Sequence, residues 1–415
     1  MVSTIARIST LLLGMGVLLG GNGLLGTLLG VRASVEGFTD AATGGVMSAY
    51  FFAFILGTFV CPPVIRRVGH IRAFAAMGAV ASVVAIVHVL LVHPLVWGVL
   101  RAVNGISMVG LFMVMESWLN ALAPNERRGR IFATYTTVNL TAMAAGQLLL
   151  ATSNVSGFTL FGLVAILYSL ALVPVALTNV REPTPVDVPH LHLRGLYSVS
   201  PLGFIGTMIA GLSQGAFWGM GAVFAHGIGM TASGVAAFMT ATIIGGALLQ
   251  WPIGRLSDHY DRRIVLVFVC FSAAACALVA FQVAKLSSLA LLTSTFLYGG
   301  FAFSVYSLTV SHVNDHLQPA QVLSATSGLL LVYGIGAAAA PAVIGALMGV
   351  LGPRSLLVYF AATQLTLALF GLYRMWVRAP VPVQAQGAFV PMVRTSQVAL
   401  EMDPRAEAES ELKLK

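Results

Sequence analysis

Glu116 and Arg101 stand in one long apolar stretch, VWGVLRAVNGISMVGLFMVMESWLNAL. An ionisable side chain inside such a stretch is costly to keep there and marks a function by default. A buried carboxylate that can take up and release a proton has the chemistry of a proton carrier. An arginine in the same stretch can hold an anionic solute or tune a nearby acid. The plainer readings are an interhelical hydrogen bond for Glu116 and, for Arg101, a side chain that reaches back to the membrane surface. The two residues are 15 positions apart. On a helix that is roughly 22 Å along the axis, with about 60° between their directions. They share a broad face but cannot meet, so each needs a partner elsewhere.

A second cluster lies in QWPIGRLSDHYDRR, Gln250 to Arg263, between two apolar runs. It holds Gly254, Arg255, Asp258, Arg262 and Arg263. A charged turn between apolar runs belongs at a membrane face, because the hydrocarbon offers it no water. Headgroup anchoring explains the arginines. It does not explain Asp258, an acid just past a helix end beside Gly254. PPVIRRVGHIR, with Arg66 and Arg67, is a degraded echo of this stretch at an offset of 192.

Polar and aromatic side chains also interrupt the apolar runs. Asn22 lies in the first. Tyr135, Asn139 and Gln147 form one stripe, Gln214 and Trp218 are four apart, and Tyr306 and Tyr333 come later. Together they suit the wall of a cavity for an organic solute; any one of them taken alone suits an interhelical hydrogen bond. His226, Met230 and Met220 offer imidazole and thioether, a weak copper signal. Cys61, Cys270 and Cys276 have no CxxC spacing, so neither a disulfide framework nor a zinc site is read. No metal and no cofactor is assigned. No phosphate-binding loop, nucleophile elbow or paired carboxylates occur, which argues against an ATP-driven pump or a membrane hydrolase and against an enzyme.

Composition decides what positions these residues. The chain has 415 residues, 58% hydrophobic and 9% charged, with a mean hydropathy of +0.91. A soluble domain carries roughly 25% charged residues. The sequence therefore predicts an all-α membrane protein. Runs of spanning length fall near 8–30, 42–63, 72–92, 95–121, 131–152, 157–179, 200–225, 232–254, 263–284, 287–311, 321–347 and 354–377. With the N-terminus inside, the inner segments hold Arg7, Arg66, Arg67, Arg72, Arg127, Arg128, Arg130, Arg181, Arg194, Arg255, Arg262 and Arg263, against Arg32, Lys285 and Arg354 outside. That bias puts both termini in the cytoplasm. It also accounts for the net charge of +8 without a nucleic-acid partner.

The offset of 192 to 194 recurs. Gly105 meets Gly299 or Gly300, and Gly146-Gln147 meets Ala340-Pro341. This predicts a duplicated six-helix half: one half at 1–178, a cytoplasmic linker at 179–199, a second half at 200–377 and a disordered tail at 378–415.

The stretch around Asp258 resembles the cytoplasmic-loop signature of the major facilitator superfamily, G-x-x-x-D-[RK]-x-G-[RK]-[RK]. Gly254, Asp258, Arg262 and Arg263 match; His259 and Asp261 depart from it. Arg101 and Gly105 resemble the fourth-helix motif. MESWLNALAPNERRGR, AAGQLLL and QWPIGRLSD are similar to the YcaD-type branch of bacterial members. The resemblance implies a monomeric, alternating-access secondary transporter of the bacterial inner membrane, with protons, a small solute and the lipid bilayer as its partners. In that reading Glu116 and Arg101 couple protons. Asn22, Tyr135, Asn139, Gln147, Gln214, Trp218, Tyr306 and Tyr333 line the cavity. Gly254, Arg255, Asp258, Arg262, Arg263, Arg66 and Arg67 form the gate, with Asp258 implied to latch onto basic residues and a neighbouring helix N-terminus. The rivals are multidrug efflux, copper uptake and a non-transporting membrane sensor.

Overall fold

A computed structural model describes residues 2–123, 128–177, 183 and 193–402. Thirteen helices follow one another among them: α1 Val2–Val35, α2 Asp40–Val68, α3 His70–Leu90, α4 Pro94–Leu122, α5 Arg128–Leu148, α6 Thr159–Leu177, α7 Leu193–Val199, α8 Pro201–Gly227, α9 Ala232–His259, α10 Arg262–Val283, α11 Ser288–Asn314, α12 Pro319–Leu351 and α13 Ser355–Val377. All but the short α7 have 19 residues or more, which gives the twelve long helices the hydropathy predicts.

Their ends follow local chemistry. Thr39, Ser200, Thr231, Asp261 and Ser287 cap α2, α8, α9, α10 and α11 with a side-chain oxygen, satisfying backbone donors that a helix start leaves open. Pro94, Pro201 and Pro319 open α4, α8 and α12, where a missing N–H costs nothing. The helices outrun the apolar runs read from the sequence, because their polar end turns continue past the hydrocarbon. Ten are long and apolar enough to cross a membrane. Of the other two, α6 is short and α5 is polar. The hydroxyls of Thr134, Thr136 and Thr137 in α5 donate to carbonyls four residues back, which lets a threonine-rich helix sit among apolar neighbours. Outward faces carry apolar side chains such as Leu95, Val350 and Trp376, as lipid contact requires.

The same contacts occur twice. α1 packs on α5 and α6, α2 on α4, and α3 on α4 and α6; α8 packs on α12 and α13, α9 on α11, and α10 on α11 and α13. Gly105 lets α4 approach the Tyr50 carbonyl of α2, and Gly299 lets α11 approach the Thr242 carbonyl of α9. Tyr50 and Thr242 are themselves 192 apart. The two halves meet along α1 and α8, α2 and α12, and α5 and α9.

Two of the expected segments carry structure of their own. The stretch assigned to the linker contains α7, which packs on α8 and α12; apart from Pro183, residues 179–192 lie outside the described residues, as do Arg127 and Arg181. The tail expected to be disordered is ordered over 378–402. It folds back between the halves, and Met392, Val398, Ala399, Leu400 and Met402 are buried. The reason is compositional. AFVPMVRTSQVALEM, 388–402, has only Arg394 and Glu401 charged, and the helices leave it a cleft to fill. Residues 403–415 lie outside the described residues.

Candidate functional site

α2 ends at Arg66 and Arg67, α10 begins at Arg262 and Arg263, and α4 closes beside α3, with the His70 and Trp118 rings 6.2 Å apart. We call this the basic end. The halves close on each other at the opposite end. There Gly30 of α1 meets Ala222 and Val223 of α8, Gly44 of α2 meets Pro341 of α12, and Gly345 meets Asp40. Thr240 of α9 donates to the Ala144 carbonyl of α5 at 3.2 Å. Between this seal and the basic end lies a cavity of about 200 Å³ walled by both halves.

The cavity wall includes Asn22, Arg101, Asn139, Trp218 and Tyr333 of the residues singled out in the sequence. Arg101 is buried, donates to Asn104 Oδ1 at 3.2 Å and lies 4.1 Å over the Tyr50 ring. Asn22 accepts a 3.4 Å hydrogen bond from Tyr168. The rest of the expected wall lies elsewhere. Gln147 is taken up by Thr27 and by the Gly23 carbonyl. Gln214 donates to the Ala302 carbonyl at 3.3 Å and accepts from Tyr333 at 3.1 Å. Tyr135 reaches Glu116, and Tyr306 packs edge-on to Tyr333 at 5.0 Å. These side chains hold helices together, as lone polar groups in apolar helices do.

Glu116 is fully buried and lies beyond the free space of the cavity. Its carboxylate accepts hydrogen bonds from the hydroxyls of Tyr135, Thr395 and Ser396. Among the described residues no cation lies within ion-pair distance of it, so hydroxyl groups do the work a counter-ion would do. Thr395 and Ser396 belong to the 378–402 segment, and sequence reasoning missed them. The available signal was the low charge of 388–402.

That segment spans the gap at the basic end. Toward the first half it bonds Glu116, and Glu401 accepts from Asn120 at 2.7 Å. Toward the second half, the backbone N–H groups of Gly387, Phe389 and Met392 donate to Asp315, Asp258 and Ser307 at 3.0, 2.8 and 3.0 Å. Phe389 lies against Gly254, where a Cβ would collide with its ring.

Of the expected gate residues, Gly254, Asp258, Arg262 and Arg263 gather here, with two additions. Arg262 is buried and bridges Asp258 at 3.4 Å and Asp315 at 3.0 Å; it also donates to the Gly387 carbonyl. Asp315 is the closer and more buried acid, and it lies 57 residues beyond Asp258, outside the motif. Arg263 pairs with Asp261 at 2.8 Å and donates to the Arg378 carbonyl at 2.6 Å. Burial pushes the Asp261 carboxyl up, but hydrogen bonds and charge from Arg263 outweigh it and hold the group below the usual range. Asp261, a departure from the family signature, therefore caps α10 and fixes Arg263. Arg255 lies 3.7 Å over the exposed Trp251 ring, apart from these contacts. Arg67 is exposed at the end of α2. Among the described residues no three His, Cys, Asp or Glu side chains gather as a metal site.

Two six-helix halves around a central cavity, in a chain of membrane-spanning helices, define a multi-pass membrane transport protein and not an enzyme. The chain belongs to the Major Facilitator Superfamily, whose family model matches residues 11–198 and 203–401. It is similar to the uncharacterized MFS-type transporter YcaD of Escherichia coli O17:K52:H18, 26% identical over 362 residues that cover 87% of this chain and 93% of the relative. The fold is similar to that of the nucleoside transporter NupG, with a TM-score of 0.73 and 15% identity over 88% of this chain and 98% of the other. It is also similar to that of a D-xylose-proton symporter, with a TM-score of 0.70 and 13% identity over 91% and 99%.

Proposed function

We propose that this chain is a secondary active transporter that moves a small organic solute across the bacterial inner membrane, coupled to protons. The observation that carries the reading is Glu116. It is a buried carboxylate beside a cavity shared by two repeated halves, held by hydroxyl donors and not by a cation. Such a group can change protonation without leaving a cation stranded. Residues 1–178 and 200–377 act as the two rocking bodies, joined by a cytoplasmic linker at 179–199. The basic end is cytoplasmic by its arginines, and the chain works as a monomer. The seal away from that end then makes this the inward-facing arrangement, and Gly254, Asp258, Arg262 and Arg263 form the inner latch. That NupG carries nucleosides and the xylose symporter sugar with protons supports the solute class and the coupling.

The test is proton flux in proteoliposomes against a panel of sugars, nucleosides and organic cations. The wild type acidifies or alkalinises the lumen with at least one solute, and Glu116→Gln lowers that flux at least tenfold. Equal flux in the two proteins overturns the assignment. One observation favours broad drug efflux as a second reading: the cavity wall is rich in Phe51, Phe54, Phe112, Trp218 and Met143. Flux with many unrelated lipophilic cations would select it.

A further inference from the structure

Arg394 enters the region where the halves face each other. Its guanidinium carbon lies 5.3 Å from the ring centroid of Tyr306, 5.7 Å from Tyr333 and 5.8 Å from Phe303. One terminal nitrogen donates to the Phe303 carbonyl at 2.8 Å. Its Nε is buried without a partner, and so is the hydroxyl of Tyr306, a side chain with no exposure at all. Among the described residues no carboxylate lies within ion-pair distance of Arg394.

A cation in an apolar surround needs compensation, and aromatic faces within about 6 Å supply it. Three rings do so here. A buried hydroxyl left without a hydrogen bond is a standing cost, and the Tyr306 hydroxyl becomes an acceptor for any ligand bringing a second N–H. A planar, weakly hydrated cation with several donors suits this surround better than a compact ammonium. The cage is built by α11 and α12, not by the segment that fills it.

We propose that Phe303, Tyr306 and Tyr333 form a binding site for an organic cation of the guanidinium class, and that Arg394 occupies it as a tethered competitor. The site deepens the transport reading by naming a solute class, and rests on it only for the consequence of binding. A tethered group competes at an effective concentration set by its tether. This tether is short and held by Asp258, Ser307 and Glu116. A free cation must therefore displace Arg394 before it enters.

The experiment is titration calorimetry on the purified full chain with n-propylguanidine, which reproduces the arginine side chain. The neutral isostere n-propylurea is the control. Arg394→Ala binds n-propylguanidine at least tenfold more tightly than the wild type, and the added change Tyr306→Leu removes that gain. Thr395→Ala with Ser396→Ala, which loosens the segment without touching the cage, gives a gain in the same direction. A gain seen with either route supports the site. Affinity for n-propylguanidine unchanged in both, or equal binding of n-propylurea, overturns it. Binding is read without any proton flux, so failure of the Glu116 assignment would leave this result standing, and the reverse.

Discussion

The hydroxyl of Thr395 donates to the carboxylate of Glu116, a residue 279 positions earlier in the chain. Ser396 donates to the other carboxylate oxygen. The segment 378–402 is thus anchored on the one buried acid of α4, and it crosses from one half to the other to get there. Hydrogen bonds to a charged group are worth about 1.5–3 kcal/mol each. Removing both hydroxyls should raise the population of the released segment at least tenfold, since about 1.4 kcal/mol is a factor of ten. Trypsin cleavage after Arg394 reads that population when closing is fast. The Thr395→Ala, Ser396→Ala protein should be cut there at least tenfold faster than the wild type. Equal rates would mean that backbone contacts alone hold the segment.

The second prediction concerns Arg262. The motif in the sequence pairs it with Asp258, but Asp315 is its closer and drier partner, with side chains 1% and 3% exposed against 33% for Asp258. Removing one partner of a buried pair costs about 3–5 kcal/mol, whereas an exposed partner is worth about 0–1. Asp315→Ala should lower the melting temperature in detergent far more than Asp258→Ala. A larger drop for Asp258→Ala would restore the motif acid as the main partner.

The third prediction separates packing from helix propensity within α4. A methyl group on Gly105 would strike the Tyr50 carbonyl, while one on Gly98 meets nothing within 4 Å. Overpacking of this kind costs about 1–3 kcal/mol. Alanine at a helical glycine with room to spare gains roughly 0.5–1 kcal/mol. Gly105→Ala should therefore destabilise the protein and Gly98→Ala should leave it equal or firmer, as read by thermal unfolding of both variants side by side.

How much of this was legible in the sequence follows from which physical signal each part leaves. The helices were readable because lipid demands long apolar runs, and Gly105 with the Gly299-Gly300 pair pointed to the repeat because close backbone approach demands glycine. Glu116 and Arg101 stood out because charges in such runs are rare. The partners of Glu116 did not. Thr395 and Ser396 are ordinary hydroxyl residues in a proline-containing stretch, and only the fold brings them to the acid. Asp315 was hidden for the same reason, since the motif around Asp258 offered a nearer acid in sequence. Gln147 and Gln214 looked like cavity residues because spacing reports a helix face. It does not tell whether that face meets free space or another helix.

The last prediction follows from Asp261. Its carboxyl is held below the usual range because Arg263 outweighs the burial that pushes it up. A group whose folded pKa is depressed adds stability above its unfolded pKa, about 3.9 for Asp, and loses it as pH falls through the folded value. Asp261→Asn keeps a capping oxygen for α10 but removes the charge facing Arg263. The variant should melt below the wild type at pH 7 by an amount corresponding to about 1 kcal/mol. The gap should persist at pH 5 and shrink only as the pH falls below the ordinary carboxylate range. A gap that stays constant across that range would assign the effect to capping geometry and leave the charge pair without a share in stability.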